Sequence, residues 1–153
     1  MTEFMQEAFV EAKKGIEAGH GGPFGAVIVK EGKIIARGHN EVIKHNDPTA
    51  HAEMVTIRKA TSILNDFSLS GCTLYVTGEP CPMCFSAIHW AHIDKVYYCN
   101  TKEDAAQIGF DDAFITEIIE GKTKDPVSFV HQPDEKCKLL FSEWYENPDK
   151  IPY

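Results

Sequence analysis

The chain has no apolar run approaching the twenty or so residues that span a bilayer, and no basic, apolar leader of the secretory kind. It is also short of positive charge: 15 Lys and Arg stand against 23 Asp and Glu, for a formal net charge of -8. The last 23 residues carry five acids against three lysines. A polyanion would favour the opposite sign, so neither nucleic acid nor a membrane is the expected partner. Repeats and low-complexity tracts are absent. Five cysteines are an odd number and make a poor disulfide framework, which points to a reducing, cytoplasmic setting with Cys99 and Cys137 as reduced core thiols. At 153 residues and 43% hydrophobic content, the chain suits one compact domain over residues 1–153.

What is present alternates between helical and extended periods. Phe4, Met5, Ala8, Phe9, Ala12 and Ile16 follow the 3.6-residue repeat and predict an amphipathic helix from about 2 to 18. Residues 24–29 and 33–38 flank Glu31-Gly32 and predict an antiparallel hairpin. A helix to about Leu64, a strand from Cys72 to Val76, a helix to about Ala91 and a strand from Lys95 to Cys99 follow, the last with parallel neighbours. Another helix begins near Thr101, Val127 to Val130 is expected as a short strand, and Cys137, Leu140, Phe141 and Trp144 mark a final helix. The predicted fold is a three-layer α/β/α sandwich around a mixed sheet opened by the hairpin.

The chemistry concentrates in His51-Ala52-Glu53 and Pro80-Cys81-Pro82-Met83-Cys84. These supply three metal donors of mixed type and one carboxylate to spare. A structural zinc site closes its tetrahedron with four protein donors, whereas a catalytic site takes three and keeps a position for water. Cys72 is the one nearby candidate for a fourth donor, and its place at the head of an apolar strand suits a buried thiol instead. Cys81 and Cys84, three apart, share one face of a helix, and Pro80 favours a helix start whose free amides stabilise a thiolate. His51 and Glu53 are two apart and diverge on a regular helix. Reading Asp47 as N-cap and Pro48 as the first helical residue places His51 in the opening turn. Alone, the Cys-x-x-Cys also fits a redox pair or half a structural zinc knuckle. The combination fits a hydrolytic zinc deaminase, with Glu53 moving protons.

On these residues the chain resembles the cytidine-deaminase-like superfamily and, within it, the small bacterial guanine deaminases. Supporting stretches are Gly21 to Val29, Asn46 to Glu53, Glu79 to Cys84, Ala87 to Ala91 and Gly109 to Ile115, so the resemblance runs from about residue 20 to 116. The zinc motif identifies only the superfamily. Trp90, the Phe110 to Ile115 segment and the terminal aromatic tilt the choice toward guanine.

The resemblance implies one Zn2+ per subunit on His51, Cys81 and Cys84, with Glu53 as the proton carrier in converting guanine to xanthine and ammonia. It also implies base contacts from Asn40, Asp112 and the Ala52 amide, aromatic walls from Phe24 and Trp90, and a lid from Tyr153. Bland roles compete: Asn40 also reads as a turn residue, Phe24 as core and Asp112 as a solvated loop acid beside Asp111. The family forms homodimers that exchange the C-terminal segment, here about residues 130–153. An acid there, Glu143 ahead of Glu135, is a candidate second proton carrier. Guanosine, cytosine or a triazine on the same scaffold are the rival substrates. A tRNA adenosine deaminase is disfavoured by charge, and a non-catalytic zinc-binding module is the reading from a different class.

Overall fold

The first helical stretch forms α1 (Glu3–Glu17), where the Thr2 hydroxyl accepts the Met5 N–H at 3.3 Å and caps the first turn. This computed structural model describes residues 2–153. The hairpin forms as β1 (Gly25–Lys30) and β2 (Lys33–His39). Glu31 and Gly32 both take positive φ, 49° and 72°, the pairing a two-residue turn of matching twist needs. With β3 (Cys72–Gly78) and β4 (Lys95–Asn100), the strands order as β2-β1-β3-β4. β1 runs antiparallel to both neighbours, and β3 runs parallel to β4.

Side chains leave the central strands alternately, and each set meets a helix layer. Val27, Val29 and Tyr75 face Met5 and Ala8 of α1. Ala26, Ile28, Leu74 and Val76 face Ala52, Ile57 and Ala60 of α3 (Ala52–Leu64) and Ile88 of α4 (Pro82–Trp90). The run Ala26-Val27-Ile28-Val29 is apolar without alternation because both faces of β1 are covered. This is the expected α/β/α sandwich. A short helix, α2 (Val42–His45), links β2 to the loop before α3.

The remaining helices are α5 (Lys102–Gln107), α6 (Ala113–Ile119) and α7 (Glu135–Glu146). Three expectations fail. Residues 127–130 form no strand: Val127, Phe129 and Val130 are exposed with no neighbouring strand to pair with, and β propensity alone does not hold an isolated strand. Cys99 and Cys137 are free thiols but exposed, because β4 is the outermost strand and α7 lies off the core. Pro48 does not start a helix. Asp47 instead accepts the Thr49 N–H and hydroxyl at 2.8 and 2.7 Å, a local turn that postpones α3 to Ala52.

Candidate active site

That delay aligns the motif. His51 is the N-cap of α3 with extended backbone (φ -66°, ψ 159°), and Glu53 sits in the first turn. The two are therefore not neighbours on a regular helix, and an extended residue followed by a helical one turns both side chains toward one place. Cys81 is likewise the N-cap of α4 (φ -65°, ψ 168°), with Cys84 in the first turn. Two helix N-termini thus converge, and their free amides favour negative charge between them.

His51 Nδ1 lies 3.5 Å from Cys81 Sγ and 3.6 Å from Cys84 Sγ. A nitrogen and a sulfur bound to one tetrahedral zinc, at about 2.0 and 2.3 Å, stand about 3.5 Å apart. Both nitrogen–sulfur separations therefore already match those a zinc ion requires, and the three donors, all within 4.8 Å of one another, can hold a metal. Their charge also fits. The hydrogen bond from Cys84, working against burial and helped by His51, holds the Cys81 thiol down at about 4. The hydrogen bond to Cys81, together with burial, pushes the Cys84 thiol up, while the bond to Cys81 raises His51. One thiolate, and a second thiol that would give up its proton only to a bound cation, suit a metal site.

Glu53 is 5% exposed, and burial pushes its carboxyl up from the usual range. A carboxyl shifted that way is suited to exchanging protons near neutral pH.

The site opens into a cavity of about 540 Å³ beside the strand ends, lined by Phe24, Asn40, His51, Glu53, Cys81 and Asp112 among others. Phe24 meets Phe110 edge to face, with ring centroids 5.0 Å apart. Asn40 is held from two sides: its N–H donates to Phe24 O at 2.9 Å, and its Oδ1 accepts from Val42 N–H at 3.1 Å. Its Nδ2 has no hydrogen-bond partner among the described residues and remains for a ligand. Gly21 is required behind it, since a Cβ there would collide with the Asn40 side-chain oxygen. Asp111 uses its carboxylate to accept from Ala113 N–H at 3.0 Å, whereas Asp112 heads α6 without bonding to it. Burial raises the Asp112 pKa. Both acids line the cavity, and Asp112 is the one whose carboxylate makes no capping bond to α6.

Ala52 is fully buried between His51 and Glu53, and its side chain does not line the cavity. Trp90, Glu143 and Tyr153 do not line it either. Trp90 ends α4, roughly 12 Å along the axis from the helix start that bears the site. It packs instead 6.4 Å from Tyr153, which also meets Phe67 at 6.3 Å. Glu79, Ile43, Pro48, Phe110 and Phe114 also stand in the lining, although none of them is singled out by the sequence as an individual substrate contact. Aromatic residues just after Gly109 were the available signal for Phe110 and Phe114. Glu79 gave none, because it joins the wall by accepting from Lys102 N–H at 3.2 Å.

Known proteins resemble this chain in sequence and in fold. The chain is 53% identical over 117 residues to a guanine deaminase of Bacillus subtilis (strain 168), covering 76% of this chain and 75% of that one. It is 41% identical over 144 residues to a tRNA-specific adenosine deaminase of Aquifex aeolicus (strain VF5), covering 94% and 92%. An X-ray structure of guanine deaminase from Bacillus subtilis superposes with a TM-score of 0.94 at 44% identity, covering 100% of this chain and 99% of that one. Residues 1–100 match the family described as the cytidine and deoxycytidylate deaminase zinc-binding region, and that span includes all three donors and Glu53. The chain belongs to this family of zinc-dependent hydrolytic enzymes.

Proposed function

We propose that the chain deaminates guanine, releasing xanthine and ammonia. The observation that carries the reading is the superposition on a guanine deaminase over the whole chain, exposed C-terminal arm included. Asp112 supports it chemically. Guanine presents ring N1–H beside its 2-amino group, both donors to a carboxylate, whereas adenine presents an unprotonated N1 there.

His51, Cys81 and Cys84 would hold the zinc ion. When bound, it supplies Lewis-acid activation of water, whose pKa falls to about 7. Glu53 takes a proton from the attacking water and passes it to ring N3 as C2 becomes tetrahedral; it then carries the remaining proton of the new C2 hydroxyl to the exocyclic amine as the C2 carbonyl forms. The C2–N bond breaks and ammonia departs. Asn40 Nδ2 and the Asp112 carboxylate fix the base, the Ala52 amide is a further contact, and Phe24 with Phe110 provides an aromatic wall.

The active form is a homodimer that exchanges the segment from about 130 to 153. Leu140, Phe141 and Tyr145 on α7 are exposed, more apolar surface than a chain working alone presents. In the dimer the Trp90–Tyr153 pair of one chain covers the partner's cavity, and Glu143 on the same arm reaches it as a second proton carrier. Thiol ligands need a reducing compartment, which fits a cytoplasmic enzyme of purine metabolism.

An ammonia-release screen over guanine, guanosine, cytosine, cytidine, adenine, adenosine and ammeline, with wild type and Glu53→Ala, tests the substrate. Glu53-dependent turnover of guanine is expected, and its absence while another base reacts rejects the assignment. The extent of the match to a tRNA-specific adenosine deaminase favours adenosine in tRNA as the second reading. An anticodon stem-loop added to the screen separates the two.

A further inference from the structure

We infer a second divalent-metal site, distinct from the His51, Cys81 and Cys84 group, formed by His20, His39 and Glu41. It stands whichever base the enzyme takes. His39 and Glu41 flank Asn40; Asn40 lines the base cavity and neither neighbour does. They meet His20, which lies just ahead of the Gly21-Gly22 wall. His20 Nδ1 is 2.9 Å from His39 Nε2, and Glu41 Oε1 is 3.7 Å from that same nitrogen. The three ligand atoms lie within 4.8 Å of one another. The two imidazoles are nearly parallel, 24° apart, with centroids at 5.2 Å.

The orientation of His39 is set from behind. Its Nδ1 faces Glu11 Oε2 at 3.2 Å, and Glu11 is only 7% exposed. An ionised carboxylate only accepts, so the His39 proton stays on Nδ1 and the Nε2 lone pair points at His20 and Glu41. A carboxylate behind an imidazole is how proteins orient metal-binding histidines. Glu41 is steadied in turn, its Oε2 lying 3.0 Å from His45 Nε2. Two imidazole nitrogens and one carboxylate oxygen select a borderline divalent transition ion such as Zn2+ over Mg2+ or Ca2+, which take oxygen donors.

Without metal, His20 donates its Nδ1 proton to His39 Nε2. Two nitrogens on a tetrahedral ion stand about 3.3 Å apart, so binding needs a parting of about 0.4 Å and His20 protonated on Nε2 instead. Lys44 Nζ lies 2.9 Å from Glu41 Oε1 and must leave. Its side chain is 39% exposed on a flexible stem, so water can receive it. His20 O already accepts the Ile43 and Lys44 N–H groups at 3.0 and 3.1 Å. An ion here therefore clamps the turn after α1 to the end of β2, directly behind Asn40.

The test takes tag-free protein already carrying one Zn2+ per chain and titrates it with Zn2+, reading metal content by equilibrium dialysis and the thermal midpoint. A second equivalent that raises the midpoint is expected. His20→Gln and Glu41→Gln should keep the first zinc but lose the second and the rise. Glu11→Gln should weaken the second site roughly 10- to 100-fold. Co2+ added to the zinc-loaded protein should give visible bands with no thiolate charge-transfer band. A stoichiometry that stays at one, or a second equivalent unchanged in both variants, overturns the site. A variant that misfolds reveals itself by losing the first zinc, and the Co2+ spectrum of the wild type then decides: a thiolate band overturns the proposal.

Discussion

Up to Ala91 the chain buries side chains on both faces of its sheet; beyond Ala91 no hydrophobic residue is fully buried, and Phe141 and Tyr145 of α7 stand 78% and 73% exposed. The metal donors and Glu53 all belong to the first region. The walls at Phe110 and Asp112, and the aromatic at Tyr153, belong to the second. Zinc chemistry is thus assembled inside one folded unit, where donor spacing is fixed by two helix starts. The second region adds walls to the cavity while leaving its own large apolar side chains exposed.

Removing zinc with a chelator should strike the first region hardest. Activity is expected to vanish completely and to return with one equivalent of zinc, while the oligomeric state read by sedimentation stays as it was. Dissociation on chelation would mean that the two regions are not separable. Glu53→Gln comes next. Loss of the proton carrier should lower kcat by roughly 10²- to 10⁴-fold with zinc content unchanged, since the three donors are untouched. Zinc loss in this variant, measured by metal analysis, would instead make Glu53 part of the metal cradle.

The second region is tested by mixing. Tyr153→Ala should cost about 10²-fold if the lid positions the base, and it should leave zinc bound. Glu53→Gln keeps its Tyr153, and Tyr153→Ala keeps its Glu53. If arms exchange, refolding equal amounts together yields mixed dimers with one complete site, about a quarter of wild-type activity overall. A mixture no more active than its parts would show that each chain closes its own cavity.

The same division governs what was legible in the sequence. His51, Cys81, Cys84 and Glu53 could be picked out because metal chemistry restricts both donor types and their number. Their convergence could not, because it depends on extended backbone at His51 and Cys81, fixed by the Asp47–Thr49 turn and by the end of β3. The strands of the core could be read from their apolar runs, since burial on both faces leaves no other pattern. Val127 to Val130 has the same composition and forms no strand, because propensity does not specify a neighbour. Trp90 and Tyr153 belong together in space, 63 positions apart, and no local pattern reports that. His39 and Glu41 carried a faint signal, two chemistry-bearing residues at strand spacing, but His20 comes from a different loop.

The smallest expected effect separates acids that hold the fold from the acid that works, both within the first region. Burial raises Glu53, and the opposing pull of its backbone bond, of His51 and of Cys84 does not reverse it. Burial also acts to raise Glu11, but hydrogen bonds and charge from Lys14 and His39 reverse the sign and leave its pKa below the ordinary 4.5. A glutamate with a lowered folded pKa binds its proton less readily in the native state than in the unfolded chain. Its contribution to stability is therefore full above the ordinary glutamate value and is lost as pH falls through the folded value. In protein carrying one zinc per chain, urea midpoints should decline below about pH 4.5, more steeply in wild type than in Glu11→Gln. At neutral pH, Glu11→Gln should cost about 1 kcal/mol or less, since Lys14 is an exposed partner. Equal slopes in the two proteins would remove Glu11 from the electrostatic support of His39 and leave it a packing residue of α1.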